Sequence, residues 1–175
     1  MIIMVSELKK QINCGDTADD VIKTKLDAIE AVIRAYTNNN FQNRGIRVQA
    51  DIKGGVLMSE SLIPFDVGDT VQISACRLNN GLFTVSGVSG GTTFTVNENI
   101  KEEDCVLVTK IEYPADVIQC AVDLYDWKQK RGDKVGVKSE TISRHSVTYE
   151  DSATLFMGYP VGILNGLKLH KKARC

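Results

Sequence analysis

Two helix-period segments flanking a stretch of β-period constrain this chain more than any other feature. Ile22, Leu26, Ile29, Ile33 and Tyr36 recur at steps of three and four, one apolar stripe of an amphipathic helix. Thr17 offers a hydroxyl N-cap, Asp19 and Asp20 complement the positive helix end, and the polar run Thr37 to Asn40 stops the helix, so the spacing predicts it over 17–38. A second helix is predicted from Pro114, a favoured first position, through Lys128, Lys130 and Arg131, with Gly132 as the left-handed cap. Its apolar face, Val117, Ile118, Ala121, Val122, Leu124 and Tyr125, is wide enough to need more than one neighbour. Those neighbours are two helices of the same chain or a helix of another subunit. Neither stripe can be buried alone, so the two helices must pack together across whatever lies between them.

Between them the period changes to two. Val71, Ile73 and Ala75 alternate with Thr70, Gln72 and Ser74, as in a half-buried strand. Asn79-Asn80-Gly81 and Ser89-Gly90-Gly91 are turn signals, with strands expected over 82–88, 92–96 and 106–111. Several short strands joined by tight turns predict a small antiparallel barrel, SH3-like or OB-like, over 65–112. The stretch 41–60 reads as a connector with one short strand. The expected class is therefore α+β: a helical core (1–44 and 113–175) of two long helices plus short ones, including an opening helix over 5–12, with connector strands and an inserted barrel in 45–112. After the second helix come an extended arm, a short apolar segment from Tyr159-Pro160 and a basic end.

Chemistry is hard to find. With 21 basic and 22 acidic side chains, the chain lacks the cationic excess usual in nucleic-acid binders. The five cysteines form no CxxC pair, so reduced and mostly buried thiols are expected and no metal site is. Only His145 and His170 could act as imidazole bases, and neither has a nucleophile or orienting carboxylate in a recognisable motif. Gly87, Gly90 and Gly91 lead into a strand rather than a helix, which favours a hairpin over a phosphate cradle. Glu102-Glu103-Asp104 lacks the spacing of a calcium loop and reads as solvated. No enzyme activity and no cofactor are expected. Phe65, Phe83 and Phe94 are read as barrel core rather than base-stacking platforms. Charge is uneven: 65–112 holds seven acids against three bases, while 151–175 holds one acid against four. Such opposite patches favour head-to-tail association. No membrane span is expected.

The arm SETISRHSVTY (Ser139–Tyr149), the MGYP that follows (Met157–Pro160) and the ending GLKLHKKAR resemble the tailed-bacteriophage head–tail connector family of small neck adaptors. So do TNNNF (Thr37–Phe41) and FDVGDTVQIS (Phe65–Ser74). The resemblance implies a structural protein of the virion neck, assembled in the host cytoplasm. It forms a ring under the portal, usually a dodecamer, that extends the DNA channel and receives the next neck or stopper protein. DNA would pass without specific binding. Carried onto this chain, Leu167, Lys168, Leu169, His170, Lys171, Lys172 and Arg174 become candidate portal contacts. Ser139, Ile142, Arg144, His145, Val147 and Tyr149 become candidate contacts to a neighbouring subunit or to the channel. The alternatives are a tail-completion protein that binds tail rather than portal, and a nucleic-acid-binding small barrel.

Overall fold

The computed structural model describes residues 1–131, 139–142, 145–148 and 155–173, with backbone only for 131, 139–142 and 145–148. The protein is α+β, with four α-helices among the described residues and a closed six-stranded antiparallel barrel. It divides into two units: Met1–Asn39 with Tyr113–Cys175, and Asn40–Glu112.

In the first unit, α1 (Val5–Gln11) buries Leu8, and α2 (Asp19–Thr37) buries Ile22, Leu26, Ile29, Val32 and Ile33. The N-cap of α2 is Ala18 rather than Thr17, with no side-chain cap. Asp19 instead pairs with Lys9 Nζ of α1 at 2.5 Å. The C-cap is Asn38, held left-handed at φ 49°, a conformation asparagine tolerates better than most residues. Helix α3 (Ala115–Arg131) starts one residue later than the proline rule suggests. The Pro114 carbonyl accepts from Val117 N and Ile118 N, which puts the proline at the cap. Gly132 lies outside the described residues.

Val117, Ala121, Val122, Leu124 and Tyr125 are all buried inside this one chain. Helix α3 packs against α2, the short α4 (Val161–Leu164) and the 3-10 turn Asn165–His170 that follows it. The wide face of α3 therefore needs no helix from another subunit. Leu8, Leu164 and Leu167 of the short elements are buried in the same unit. The expected extended arm folds back on itself. Strands β7 (Ser139–Ile142) and β8 (His145–Thr148) pair antiparallel, with Ser139 opposite Thr148. A second small ribbon joins β9 (Leu155–Phe156) to β10 (Tyr159–Pro160) through Met157 and Gly158, both at positive φ.

The barrel consists of β1 (Gln42–Lys53), β2 (Val56–Met58), β3 (Thr70–Ser74), β4 (Gly81–Ser89), β5 (Thr93–Val96) and β6 (Glu103–Ile111). Around the barrel their order is β1-β2-β5-β4-β3-β6, closed by β6 against β1. It thus begins well before residue 65: the expected connector contains a 12-residue strand. Val48, Ala50 and Ile52 of β1 alternate inward and meet Leu57, Val71, Ile73, Val85, Phe94, Val106 and Val108. Phe65 packs edge-on to Phe94, with centroids 5.5 Å apart. Both rings are buried and Phe83 is packed against the same core, so Phe65 and Phe94 are not available to stack on bases. The connection from β3 to β4 is longer than a tight Asn-Gly turn. Asn79 is buried, donating to Lys101 O and Glu103 Oε2 at 2.9 Å each and accepting from Lys101 N at 2.8 Å.

Candidate docking surface

The C-terminal segment is the most constructed surface feature of the helical unit. Pro160 opens α4, and the chain then tightens into the 3-10 turn. In a 3-10 turn, residues three apart share a face. Leu164, Leu167 and His170 form that face here. The two leucines are buried, Leu167 at 1% exposure, and His170 Nε2 meets Asp116 Oδ2 at 2.6 Å. The Asp116 carboxyl is held below its ordinary range, first by that histidine bond.

Behind the turn, α2's end acts as a clamp. Lys172 N donates to Thr37 O at 2.8 Å. Asn38 Nδ2 donates to Ala173 O at 3.0 Å, and Asn39 Nδ2 to His170 O at 3.2 Å. Tyr36 O–H donates to Asn165 Oδ1 at 3.1 Å, Phe156 stands edge-on to its ring at 5.4 Å, and Lys171 Nζ sits 3.8 Å above its ring centroid. What the clamp leaves outside is the tip: Leu169 is 94% exposed, beside exposed Lys168.

The candidate portal contacts therefore separate. Lys168 and Leu169 are exposed. Leu167 is core, His170 is tied to Asp116, Lys171 is seated over Tyr36, and Lys172 is anchored by its backbone N–H to Thr37 with its side chain exposed. Arg174 lies outside the described residues. Among the candidate subunit contacts, Ser139 and Ile142 are in β7 and His145 and Val147 in β8, whereas Arg144 and Tyr149 lie outside the described residues. Sequence reading missed Tyr36, Asn38, Asn39 and Asp116. Beyond stopping the helix, the side-chain amides of Asn38 and Asn39 hold backbone carbonyls of the C-terminal segment.

A groove of ≈ 540 Å³ opens on the same unit, lined by Asp123, Asp126, Trp127 and Lys130 of α3 with Pro160, Gly162 and Ile163. Asp126 pairs with Lys130 at 2.7 Å, and Asp123 accepts from Gln119 Nε2 at 2.9 Å. On the same helix, burial pushes the Cys120 thiol up to about 11, which keeps it protonated and a poor nucleophile. On the barrel, a smaller hollow of ≈ 260 Å³ is lined by Asp51, Met58, Glu60 and the exposed Cys105, among others. Of the four cysteines described, Cys14 and Cys120 are buried, Cys76 is intermediate and Cys105 is exposed, so the thiols are less uniformly buried than expected.

Three carboxylates of the barrel stretch are engaged within the barrel itself. Glu103 accepts from Arg77 N, Leu78 N and Asn79 Nδ2, bonds that lower its pKa. Glu98 accepts from Thr84 N at 2.9 Å, and Asp69 pairs with Lys110 at 2.8 Å. Glu103 is thus a loop tie rather than part of a solvated acidic run. Among the described residues, no group of three His, Cys, Asp or Glu side chains is arranged to hold a metal ion, and no helix is long and apolar enough to cross a membrane. Comparison with models of known protein families and with curated proteins finds no match for this chain.

Proposed function

We propose that this protein is a structural neck adaptor of a tailed phage, forming a ring under the portal and presenting the next docking surface. The observation that carries the reading is the C-terminal turn: a segment clamped at its back by Thr37, Asn38, Asn39 and Asp116, with Leu169 and Lys168 held outward. Leu169 is the most exposed large apolar side chain among the described residues, and a partner that covered it would gain the burial of that area. Ordering the turn beforehand lowers the entropy lost on docking. The resemblance of the GLKLHKKAR ending to head–tail connectors supplies the partner, the portal. The barrel, read as SH3-like or OB-like, is then an accessory module carried between the helical segments.

Deleting the tail is a poor test, because its backbone bonds belong to the helical unit. Point changes at the tip are better. Light scattering after gel filtration, on the protein mixed with portal rings, should give co-elution in stoichiometric amount. Leu169→Ser and Lys168→Glu should each weaken capture at least tenfold with unchanged Trp127 emission. Failure of the unaltered protein to bind the portal would overturn the reading.

A further inference from the structure

We infer that the β1 edge of the barrel, at Arg47 and Gln49, takes up an extended segment of another protein as an added strand, with an acidic side chain of that segment set opposite Arg47. The inference concerns the barrel alone and does not depend on the portal reading.

Strand β1 outruns one of its two neighbours. It lies beside β6 from Gln42 to Ile52, but beside the three-residue β2 only from Asp51 to Lys53. The turn at Gly54-Gly55, with φ 58° and 78°, makes a two-residue hairpin, so its closing pair, Lys53 and Val56, exchanges both backbone hydrogen bonds. Alternation by two then turns the backbone N–H and C=O of Asp51 toward β2, and those of Gln49 and Arg47 to the same side, beyond where β2 ends. The register against β6 is unbroken from Arg47 to Ala50, so the alternation holds there. After Met58 the chain turns away from β1: Ser59 N donates to Thr92 O and Ile63 N to Gly91 O, both at 2.8 Å. The divergence leaves a hollow of ≈ 260 Å³ lined by Gln49, Asp51, Met58 and Glu60, among others. Arg47 and Gln49 are exposed, and among the described residues nothing takes their backbone groups on this side.

A row of open strand donors and acceptors is matched by another extended backbone, which makes the occupant a polypeptide. Charge selects which one. Arg47, and Arg44 in the bulged part of the strand before it, are exposed and have no carboxylate partner among the described residues. A second copy adding the same edge would bring two Arg44–Arg47 segments together, which like charge disfavours. An acidic residue opposite Arg47 gains instead. The hollow at the other end holds Glu60, and Asp51, which accepts from Cys105 N at 2.8 Å. A carboxylate therefore belongs opposite Arg47, and a neutral or basic side chain opposite Gln49.

The probe is the blocked peptide acetyl-Thr-Lys-Val-Glu-Val-Thr-amide. Added antiparallel, as β2 is, it sets its Lys opposite Gln49 and its Glu opposite Arg47. One control peptide exchanges the Lys and the Glu. A second is N-methylated at both, which removes the two donors that would meet the β1 carbonyls. The full chain is titrated with each to about 1 mM, the weak end of the affinity scale, and its amide resonances and hydrogen exchange are followed. The probe should shift the Arg47 and Gln49 amides and slow their exchange. The exchanged peptide should bind about threefold more weakly, and the N-methylated one should not bind. In Arg47→Glu, a substitution at an exposed position, the preference between the first two peptides should reverse. No shift at these amides, or equal shifts from all three peptides, would overturn the inference. So would Arg47 and Gln49 amides that are as protected in the chain alone as those of Val48 and Ala50, whose N–H groups face β6. Protection that rises with protein concentration alone would give the edge to a second copy and overturn it as well. None of these outcomes bears on capture by portal rings, so the two readings fail separately.

Discussion

Glu30 is the most consequential buried charge described in the helical unit, and Tyr113→Phe is the cleanest way to weigh it. The carboxylate is 3% exposed in the middle of α2. It accepts the Tyr113 hydroxyl at 2.6 Å, with Arg34 Nη1 at 3.7 Å and the Met1 amino group at 3.4 Å. Burial, with Glu30 beside it, raises the pKa of the Tyr113 hydroxyl, so it remains a donor across the pH range in which the fold survives. Phenylalanine keeps the ring and deletes only that donor. A hydrogen bond to a charged group is worth about 1.5–3 kcal/mol net, and the two remaining cationic partners place the loss near the middle of that range, about 2 kcal/mol. The chain has one tryptophan, Trp127, and it sits on α3, so its emission follows the helical unit. With a urea slope of about 1–3 kcal/mol/M, the midpoint should fall by roughly 1 M. Tyr36→Phe is the control, since its hydroxyl bonds only an exposed amide, and it should cost under about 0.5 kcal/mol. A Tyr113→Phe loss as small as the control's would mean that Glu30 is satisfied without this hydroxyl, and the buried-network argument would fail.

Three further outcomes are expected. The pKa of Glu103 is lowered in the fold, so its three donors stabilise the barrel above the ordinary carboxylate range, and that stability is lost as pH falls through the lowered value. Amide exchange of barrel residues between about pH 6 and about pH 3 should show this loss in the unaltered protein and a flatter dependence in Glu103→Gln; parallel curves would contradict the assignment. Leu167→Ala should cost the helical unit about 2–4 kcal/mol in the urea assay while Leu169→Ala stays within about 0.5 kcal/mol, and equal effects would contradict the division between core and tip. Asn79→Ala removes three part-buried bonds and should cost the barrel about 2 kcal/mol by circular dichroism, with Trp127 emission unaffected at the same transition. A thermal midpoint unchanged from the unaltered protein would refute the tie.

What could be read from residue order was periodic. The α2 stripe repeats over 19 residues, and Ile22, Leu26, Ile29 and Ile33 are all buried where the spacing put them. Strand β3 and the hairpin from β4 to β5 were legible because alternation and glycine turns coincide there. Strand β1 was missed because only Val48, Ala50 and Ile52 alternate inward. Its first half is largely exposed or half-buried, and the ladder to β6 is interrupted by register shifts. Alanine is also a weak marker of a buried face. The clamp on the C-terminal turn carries no periodic signal at all, since it joins residues 36–39 to 165–173 through side-chain amides and backbone carbonyls.

Charge was the most misleading signal. The acidic excess of the barrel stretch suggested a binding patch, yet Glu98, Glu103 and Asp69 are engaged by backbone amides, Asn79 and Lys110 of the same unit. Carboxylates already supplied with donors offer little further attraction to an incoming cation, and releasing them would cost what the ties contribute. The basic end divides in the same way: Lys171 is seated over Tyr36 and His170 is bound to Asp116. Lys168, beside Leu169, is the exposed lysine within the turn itself, and the Lys172 side chain is exposed beyond it. The functional question therefore contracts from a charged tail to a two-residue tip. A protein that docks through its overall charge would respond equally to reversal of Lys168 or Lys172, whereas one that docks through the tip should lose capture with Lys168→Glu and tolerate Lys172→Glu, whose backbone N–H remains bound to Thr37.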